Sequence, residues 1–230
     1  MLEGLKYEVL EANRSLVKHG LVLLTWGNVS GIDRKNGLIV IKPSGVEYEK
    51  LSTSDMVVVD LDGNVVEGSL RPSSDTPTHI RLYRAFKSLG GITHTHSTNA
   101  TAFAQAGKEI PCFGTTHADA FFGRVPVTRQ LTKSEVHDSY ESNTGKVIIE
   151  RFRKLDPVSM PAVLVAGHGP FCWGINAQDS VNNSAILERI SEIAIKTLAL
   201  NRQAQEIRNY LLTKHHDRKH GNDAYYGQKK

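Results

Sequence analysis

Apolar residues at the start of the chain recur at helical spacing: Leu5, Val9, Ala12 and Leu16 share one face, and the pattern stops at His19-Gly20. The period then shortens. Leu38 to Ile41 and Met56 to Asp60 are β-branched runs, and Asp62-Gly63 between Val59 and Val65 predicts a hairpin turn. Pro77 suits a first helical turn, followed by His79, Leu82, Tyr83 and Phe86 at helical spacing up to Gly90-Gly91. Ile92 to Thr95 reads as a buried strand, with Ser97 capping a short helix through Ala106. Val163 to Ala166 and Phe171 to Trp173 predict two further strands around the tight connection Gly167-His168-Gly169-Pro170. Asn176, aided by Asp179, caps a long helix with Val181, Ala185, Ile190, Ala194 and Leu198 as its buried stripe, and a last helix is expected over about 203–214.

Short strands, a hairpin and interspersed helices predict an α/β sandwich instead of a strictly alternating doubly wound sheet. With no internal repeat or linker-like stretch, residues 1–230 are expected to form a single domain. At 40% hydrophobic and 23% charged residues the chain can bury a core, which excludes disordered and fibrous classes. No apolar run approaches the roughly 18 residues of a membrane helix, and the opening Met1-Leu-Glu-Gly-Leu-Lys lacks the pattern of a signal peptide, so a cytoplasmic protein is expected. Cys112 and Cys172, outside any Cys-x-x-Cys spacing, read as packed thiols. A formal charge of +4, partly in the tail at Arg218, Lys219, Lys229 and Lys230, suits a small phosphorylated partner better than nucleic acid.

The chemistry concentrates in histidine. His94 and His96 flank Thr95 on an expected strand and so project from one face, roughly 6 to 7 Å apart. His168, between two glycines, can supply a third nitrogen, and three histidines with an open position describe a catalytic zinc site, with Asp75 as a candidate fourth ligand. The same spacing also suits a surface pair or a hydrogen-bonded core pair. Gly27-Asn28, Lys42-Pro-Ser-Gly45 and Ser73-Ser74 offer N–H groups, hydroxyls and a cation to an anion, although ordinary turns use the same residue types. Neither G-x-G-x-x-G nor a Walker A sequence is present.

Six segments carry a resemblance: Thr25-Trp-Gly-Asn-Val-Ser30, Ile41-Lys-Pro-Ser-Gly45, Arg71-Pro-Ser-Ser-Asp-Thr76, Thr93-His-Thr-His-Ser97, Gly114-Thr-Thr-His-Ala-Asp119 and Gly167-His-Gly-Pro170. With the closing Lys214-His215, Arg218-Lys-His-Gly221 and Ala224-Tyr-Tyr-Gly-Gln228, they resemble the class II aldolase/adducin-head superfamily and, within it, the L-ribulose-5-phosphate 4-epimerases. The resemblance implies a three-layer α/β/α sandwich around a largely antiparallel sheet. It implies a zinc-dependent isomerase that interconverts L-ribulose 5-phosphate and D-xylulose 5-phosphate by retro-aldol cleavage and re-formation of the C3–C4 bond. A C4 stereocentre without an acidic C–H cannot be inverted by deprotonation, and bond cleavage solves that problem.

By matching motif, His94, His96 and His168 would bind Zn2+ with Asp75 beside them, while Asn28, Lys42, Ser44, Gly45, Ser73 and Ser74 would hold the phosphate. Asp119 and Tyr226 would handle protons, His215 would line the site, and Thr115 and Glu141 would border it. The resemblance further implies a homotetramer whose tail, about residues 215–230, closes a site at a subunit interface. Imidazole and carboxylate ligands also accept Mn2+. Aldolases of the superfamily typically carry Glu where this chain has Asp75, which favours the epimerase over an aldolase releasing an aldehyde and dihydroxyacetone. An interaction-only member would be expected to have lost the histidines. Ala120 and Phe122 depart from the frequent tyrosines of the family. The chemistry suits arabinose and ascorbate breakdown alike.

Overall fold

The computed structural model describes residues 2–221 and 223–227. Gln228 of the tail motif and the basic Lys229 and Lys230 lie outside the described residues. The centre is one sheet of seven strands, β1 (Asn28–Asp33), β2 (Leu38–Ile41), β3 (Val57–Asp60), β4 (Val65–Glu67), β5 (Gly91–His94), β6 (Ala162–Leu164) and β7 (Pro170–Gly174). Their spatial order is β4-β3-β2-β1-β5-β7-β6, with every neighbouring pair antiparallel.

Among the described residues seven α-helices accompany the sheet: α1 (Glu3–Lys18), α2 (Thr76–Ala85), α3 (Thr98–Ala106), α4 (Thr115–Ala118), α5 (Lys133–Arg151), α6 (Ala177–Leu200) and α7 (Asn209–His220). Strand alternation sorts the core onto two faces. Ile39, Val57 and Val59 point to Leu82 and Tyr83 of α2 and Ile148 of α5, whereas Val40 and Val58 point to Val9, Leu10 and Leu16 of α1 and Val181 of α6. Helices on both faces of an antiparallel sheet make the α/β sandwich that the sequence pattern predicts. Both cysteines are buried, and burial pushes the Cys112 thiol up to about 11 and that of Cys172 to about 12.

The strand register builds the site's floor. Asn28 of β1 lies opposite His94 of β5, and His94 in turn lies opposite Phe171 of β7, so three separated segments meet at one end of the sheet. Asn13 of α1 secures the central strand by donating to the Val29 carbonyl at 3.2 Å and accepting from the Val29 N–H at 2.9 Å. The connection after β5 is fixed from α6: Glu188 accepts from the Asn99 N–H at 2.9 Å, the Ala100 N–H at 3.0 Å and the Asn99 amide at 2.7 Å. Ser97 occupies the N-cap position of α3 without a side-chain capping bond, so the expected hydroxyl cap is replaced by this carboxylate. Removing it in Glu188→Ala is expected to cost about 1–2 kcal/mol, the usual loss for a helix cap, read as a lower urea midpoint at constant slope.

Asn176 caps α6 as expected, its side chain accepting from the Asp179 N–H at 2.8 Å. Asp179 reaches back one residue further than a regular capping box, to the Ile175 N–H at 3.0 Å. The last helix begins later than the pattern suggests. Residues 203–208 are held out of a helix by Ile207 N–H donating to Cys112 O and by Glu206 accepting from Cys112 N–H and Arg124.

Candidate metal and anion site

His94 closes β5, His96 stands two residues beyond it, and His168 tops the β6–β7 turn, where its N–H donates to the Val165 carbonyl at 3.0 Å. One ring nitrogen from each of the three lies within 4.8 Å of the others. The Nε2 atoms of His94 and His96 are 3.1 Å apart. Bonds of about 2.0–2.1 Å to a tetrahedral zinc put ligand nitrogens about 3.3 Å apart, so this pair already has a chelating span. Two glycines let the backbones close in. A Cβ at Gly27, which has φ +78°, would meet the His94 carbonyl at 2.8 Å, and one at Gly169 would meet the Thr95 carbonyl at 2.8 Å.

Two of the three rings are in the neutral, ligating form. Burial, reinforced by His94 and His96, pushes His168 down to about 3, and burial with His94 lowers His96, so these imidazoles are neutral at physiological pH. His94 Nδ1 donates to the Pro170 carbonyl at 2.9 Å and its ring stacks on Phe171 at 4.2 Å, which leaves Nε2 facing its neighbours. His94 is buried, His168 partly buried and His96 exposed, so the cluster is reachable from one side. Three converging imidazoles with one open side fit a divalent cation.

Asp75, at the N-cap of α2, accepts from the Asn28 amide at 2.7 Å. Burial works to raise its pKa, but His94, His79 and the Asn28 hydrogen bond outweigh it and hold the carboxyl below the usual carboxylate range. The structure therefore places this anion beside the histidines. The same Asn28 amide donates to Ser73 Oγ at 3.0 Å, linking the histidine end of the cleft to the Ser73-Ser74 turn.

Lys42 carries the other charge. It is only 1% exposed, has no carboxylate within ion-pair distance among the described residues, and lies with Nζ 4.8 Å from the Tyr48 ring centre. Its nearest oxygens are the carbonyls of Pro43 at 3.4 Å and Thr25 at 3.5 Å, and burial lowers it to about 8. A buried ammonium without a counter-ion is costly, and an anion in the cleft would supply one. Tyr48 also holds the neighbouring turn by donating to the carbonyls of Trp26 and Gly27 at 2.7 and 2.9 Å.

These groups line one cleft of about 460 Å³, with Asn28, Lys42, Ser44, Ser73 and Ser74 at one end and Asp75, His94, His96 and His168 at the other. Glu141 borders it, and so do Trp26 and Tyr140, which sequence reasoning missed. Gly45 follows at φ +70°, outside the lining. A larger groove of about 800 Å³ beyond the Ser73-Ser74 turn contains none of the histidines.

Thr115, Asp119, His215 and Tyr226 do not line this cleft. Asp119 follows α4 and is gripped by α7: Arg218 donates to it twice, at 3.0 and 2.5 Å, and His215 Nδ1 lies at 3.0 Å. Burial raises its pKa, but Arg218 and His215 outweigh this and keep the carboxyl ionised. Tyr226, 61% exposed, lies under Arg218 and Lys219, at 5.0 and 4.4 Å from its ring centre. Phe122, one of the two departures near Asp119, packs on His216 at 5.0 Å.

His79 also escaped the sequence reading, which counted it only as a helical position. It is fully buried, its Nδ1 2.7 Å from Ser30 Oγ, and burial pushes it down to about 3. Its place behind Asp75 follows from the helical step, since the His79 N–H donates to the Asp75 carbonyl at 3.1 Å.

Fold and cleft together define a protein of the class II aldolase type, and the comparison with known families agrees: residues 7–195 match the Class II Aldolase and Adducin N-terminal domain. The chain belongs to that family. It is similar to an L-fuculose 1-phosphate aldolase, 26% identical over 94% of this chain and 95% of that one, with a TM-score of 0.79. It is also similar to YgbL of Klebsiella pneumoniae, described as an aldolase, epimerase or decarboxylase without a choice among them, at 25% identity over 93% and 99% of the chains and a TM-score of 0.73. An L-fuculose 1-phosphate aldolase from Glaciozyma antarctica, 19% identical over 96% and 84% with a TM-score of 0.77, shares the fold.

Proposed function

We propose that the protein is a sugar-phosphate 4-epimerase that interconverts L-ribulose 5-phosphate and D-xylulose 5-phosphate. The observation that carries this reading is the shared cleft, which is lined at one end by a buried Lys42 with no carboxylate partner among the described residues and at the other by three converging histidines. A phosphorylated ketose has the matching polarity, with a dianion at one end and vicinal oxygens at the other. Asp75 in place of the glutamate typical of the aldolases supports the epimerase branch.

In this reading Lys42, Asn28, Ser44, Ser73 and Ser74 bind the phosphate and keep the cleaved aldehyde fragment from leaving while it turns its other face. His94, His96 and His168 would hold one divalent ion, Zn2+ by the chemistry of the donors. When bound, such an ion supplies Lewis-acid polarisation of substrate oxygens. Asp75 sets the local charge and accepts from Asn28, tying the two ends of the cleft together. Asp119, held ionised, is suited to accept a proton and the Tyr226 phenol to donate one, the complementary pair that two stereochemical courses need.

Asp119 and Tyr226 lie away from their own chain's cleft, so in this reading they serve the cleft of a neighbouring copy in a homotetramer. One feature supports that arrangement: α7, which holds Asp119, carries no buried residue.

A second reading, a sugar-phosphate aldolase, is favoured by the likeness to L-fuculose 1-phosphate aldolase. Incubation with L-ribulose 5-phosphate separates the two. The epimerase yields D-xylulose 5-phosphate with no free glycolaldehyde phosphate, whereas the aldolase yields that aldehyde and dihydroxyacetone in amounts equal to the substrate lost, which would overturn the first reading.

A further inference from the structure

We infer that Tyr140 is a positioning residue for His168, fixing that imidazole so that Nε2 faces the His94–His96 pair. The inference rests on the metal-site reading above and adds to it a residue of α5 that neither the sequence motifs nor the convergence of the histidines includes. The Tyr140 hydroxyl lies 3.2 Å from His168 Nδ1. It is the only hydrogen-bond partner of the His168 ring among the described residues, the ring's other contacts being His94, His96 and Phe171.

The three histidines are unequally supported. His94 is oriented by the Pro170 carbonyl and by stacking on Phe171, both on the strand beside it. His168 sits instead on a turn, where only its backbone is tied, and a free imidazole there could present either nitrogen. A hydrogen bond in which Nδ1–H donates to the phenol oxygen removes that freedom, because the lone pair left over is then on Nε2.

Tyr140 is built to be such a post. α5 is broken at Ser139, whose φ of −166° and ψ of 73° start a second helical segment at the cleft. That segment is pinned to α2 by Thr78 Oγ1 donating to the Glu141 carbonyl at 2.5 Å and by Arg81 Nε donating to Ser142 Oγ at 2.6 Å. Thr144 Oγ1 donates to the Tyr140 carbonyl itself at 3.0 Å. The phenol is thus held from a helix and the imidazole from a turn, so the helix dictates the ring's orientation.

The test is a titration of the metal-free full-length protein with Co2+, in competition with a chromophoric chelator, for the wild type, Tyr140→Phe and His96→Ala. Loss of a second-sphere partner typically weakens metal binding about 10–100-fold, and that loss is expected for Tyr140→Phe together with a shifted cobalt absorption band. The metal-free melting temperature of the variant should match the wild type, because the bond removed is at a partly exposed cleft residue. Unchanged affinity and an unchanged cobalt spectrum in Tyr140→Phe, with binding lost in His96→Ala, would overturn the role of Tyr140 and leave the metal site standing. Failure of the wild type to bind Co2+ would overturn the metal-site reading itself and this inference with it.

Discussion

His96→Ala is expected to lower epimerase turnover by at least about a thousandfold while the protein stays folded. The ring is exposed and belongs to no hydrophobic cluster, so its removal leaves no cavity in the core. What it removes is one of the three nitrogens that converge within 4.8 Å. Lewis-acid stabilisation contributes several kcal/mol to such reactions, and each 1.36 kcal/mol is a factor of ten in rate. A coupled assay for D-xylulose 5-phosphate, with circular dichroism as the check on folding, measures both halves of the expectation. Chelation of the wild type should reproduce the loss, and restored Zn2+ should reverse it. Turnover that survives chelation would remove the ion from the reaction.

Lys42→Met is expected to move affinity and stability in opposite directions. The ammonium is buried with no carboxylate partner among the described residues, so its removal relieves an uncompensated charge, and the variant should unfold at a higher urea concentration than the wild type. Its affinity for inorganic phosphate and for substrate should fall. Truncating one partner of a buried charge pair costs about 2–5 kcal/mol, which is a loss of about thirtyfold to several thousandfold. A variant that lost stability as well as affinity would mark Lys42 as a packing residue.

The same lysine sets a pH dependence. Burial lowers it to about 8, against about 10.4 for a lysine in the unfolded chain. Between those values the unfolded chain holds the proton and the folded chain does not, so stability from this group rises with pH across that window. Below pH 8 both states are protonated and the burial penalty is fully present. Bound phosphate favours the ammonium, so phosphate affinity should decline as pH climbs through 8, and calorimetric titrations at pH 7 and 9 would show it.

Much of the histidine cluster was legible in the sequence because its residues come from strong patterns. His94 and His96 alternate with threonines after Gly90-Gly91-Ile92, and His168 stands between the glycines of a turn. The Lys42 end of the cleft was legible only through the ordered motifs, since Ser73-Ser74 and Gly27-Asn28 read like any turn until the sheet brings Asn28 opposite His94. β1 was missed for a related reason: Asn-Val-Ser-Gly-Ile-Asp looks too polar for a central strand, yet Asn28 and Ser30 are buried because they bond to Asp75 and His79. α5 was missed because it has no continuous apolar stripe and is broken at Ser139, which also concealed Tyr140. The boundaries of α7 were misplaced because nothing in Gln203–Arg208 announces the tertiary bonds to Cys112 and Arg124 that keep it extended.

The placement of β5 between β1 and β7 has a consequence for synthesis on the ribosome. When β1 through β5 have emerged, His94 and His96 are already present, but the strand that orients His94 and the turn that bears His168 are still about 70 residues from being made, at about 5–20 residues per second several seconds away. Until β7 pairs with β5, the nascent chain offers a cation two loosely held imidazoles. The complete histidine triad is therefore a product of the last strand to be made, and under the metal-site proposal capture of the ion would follow translation of β7.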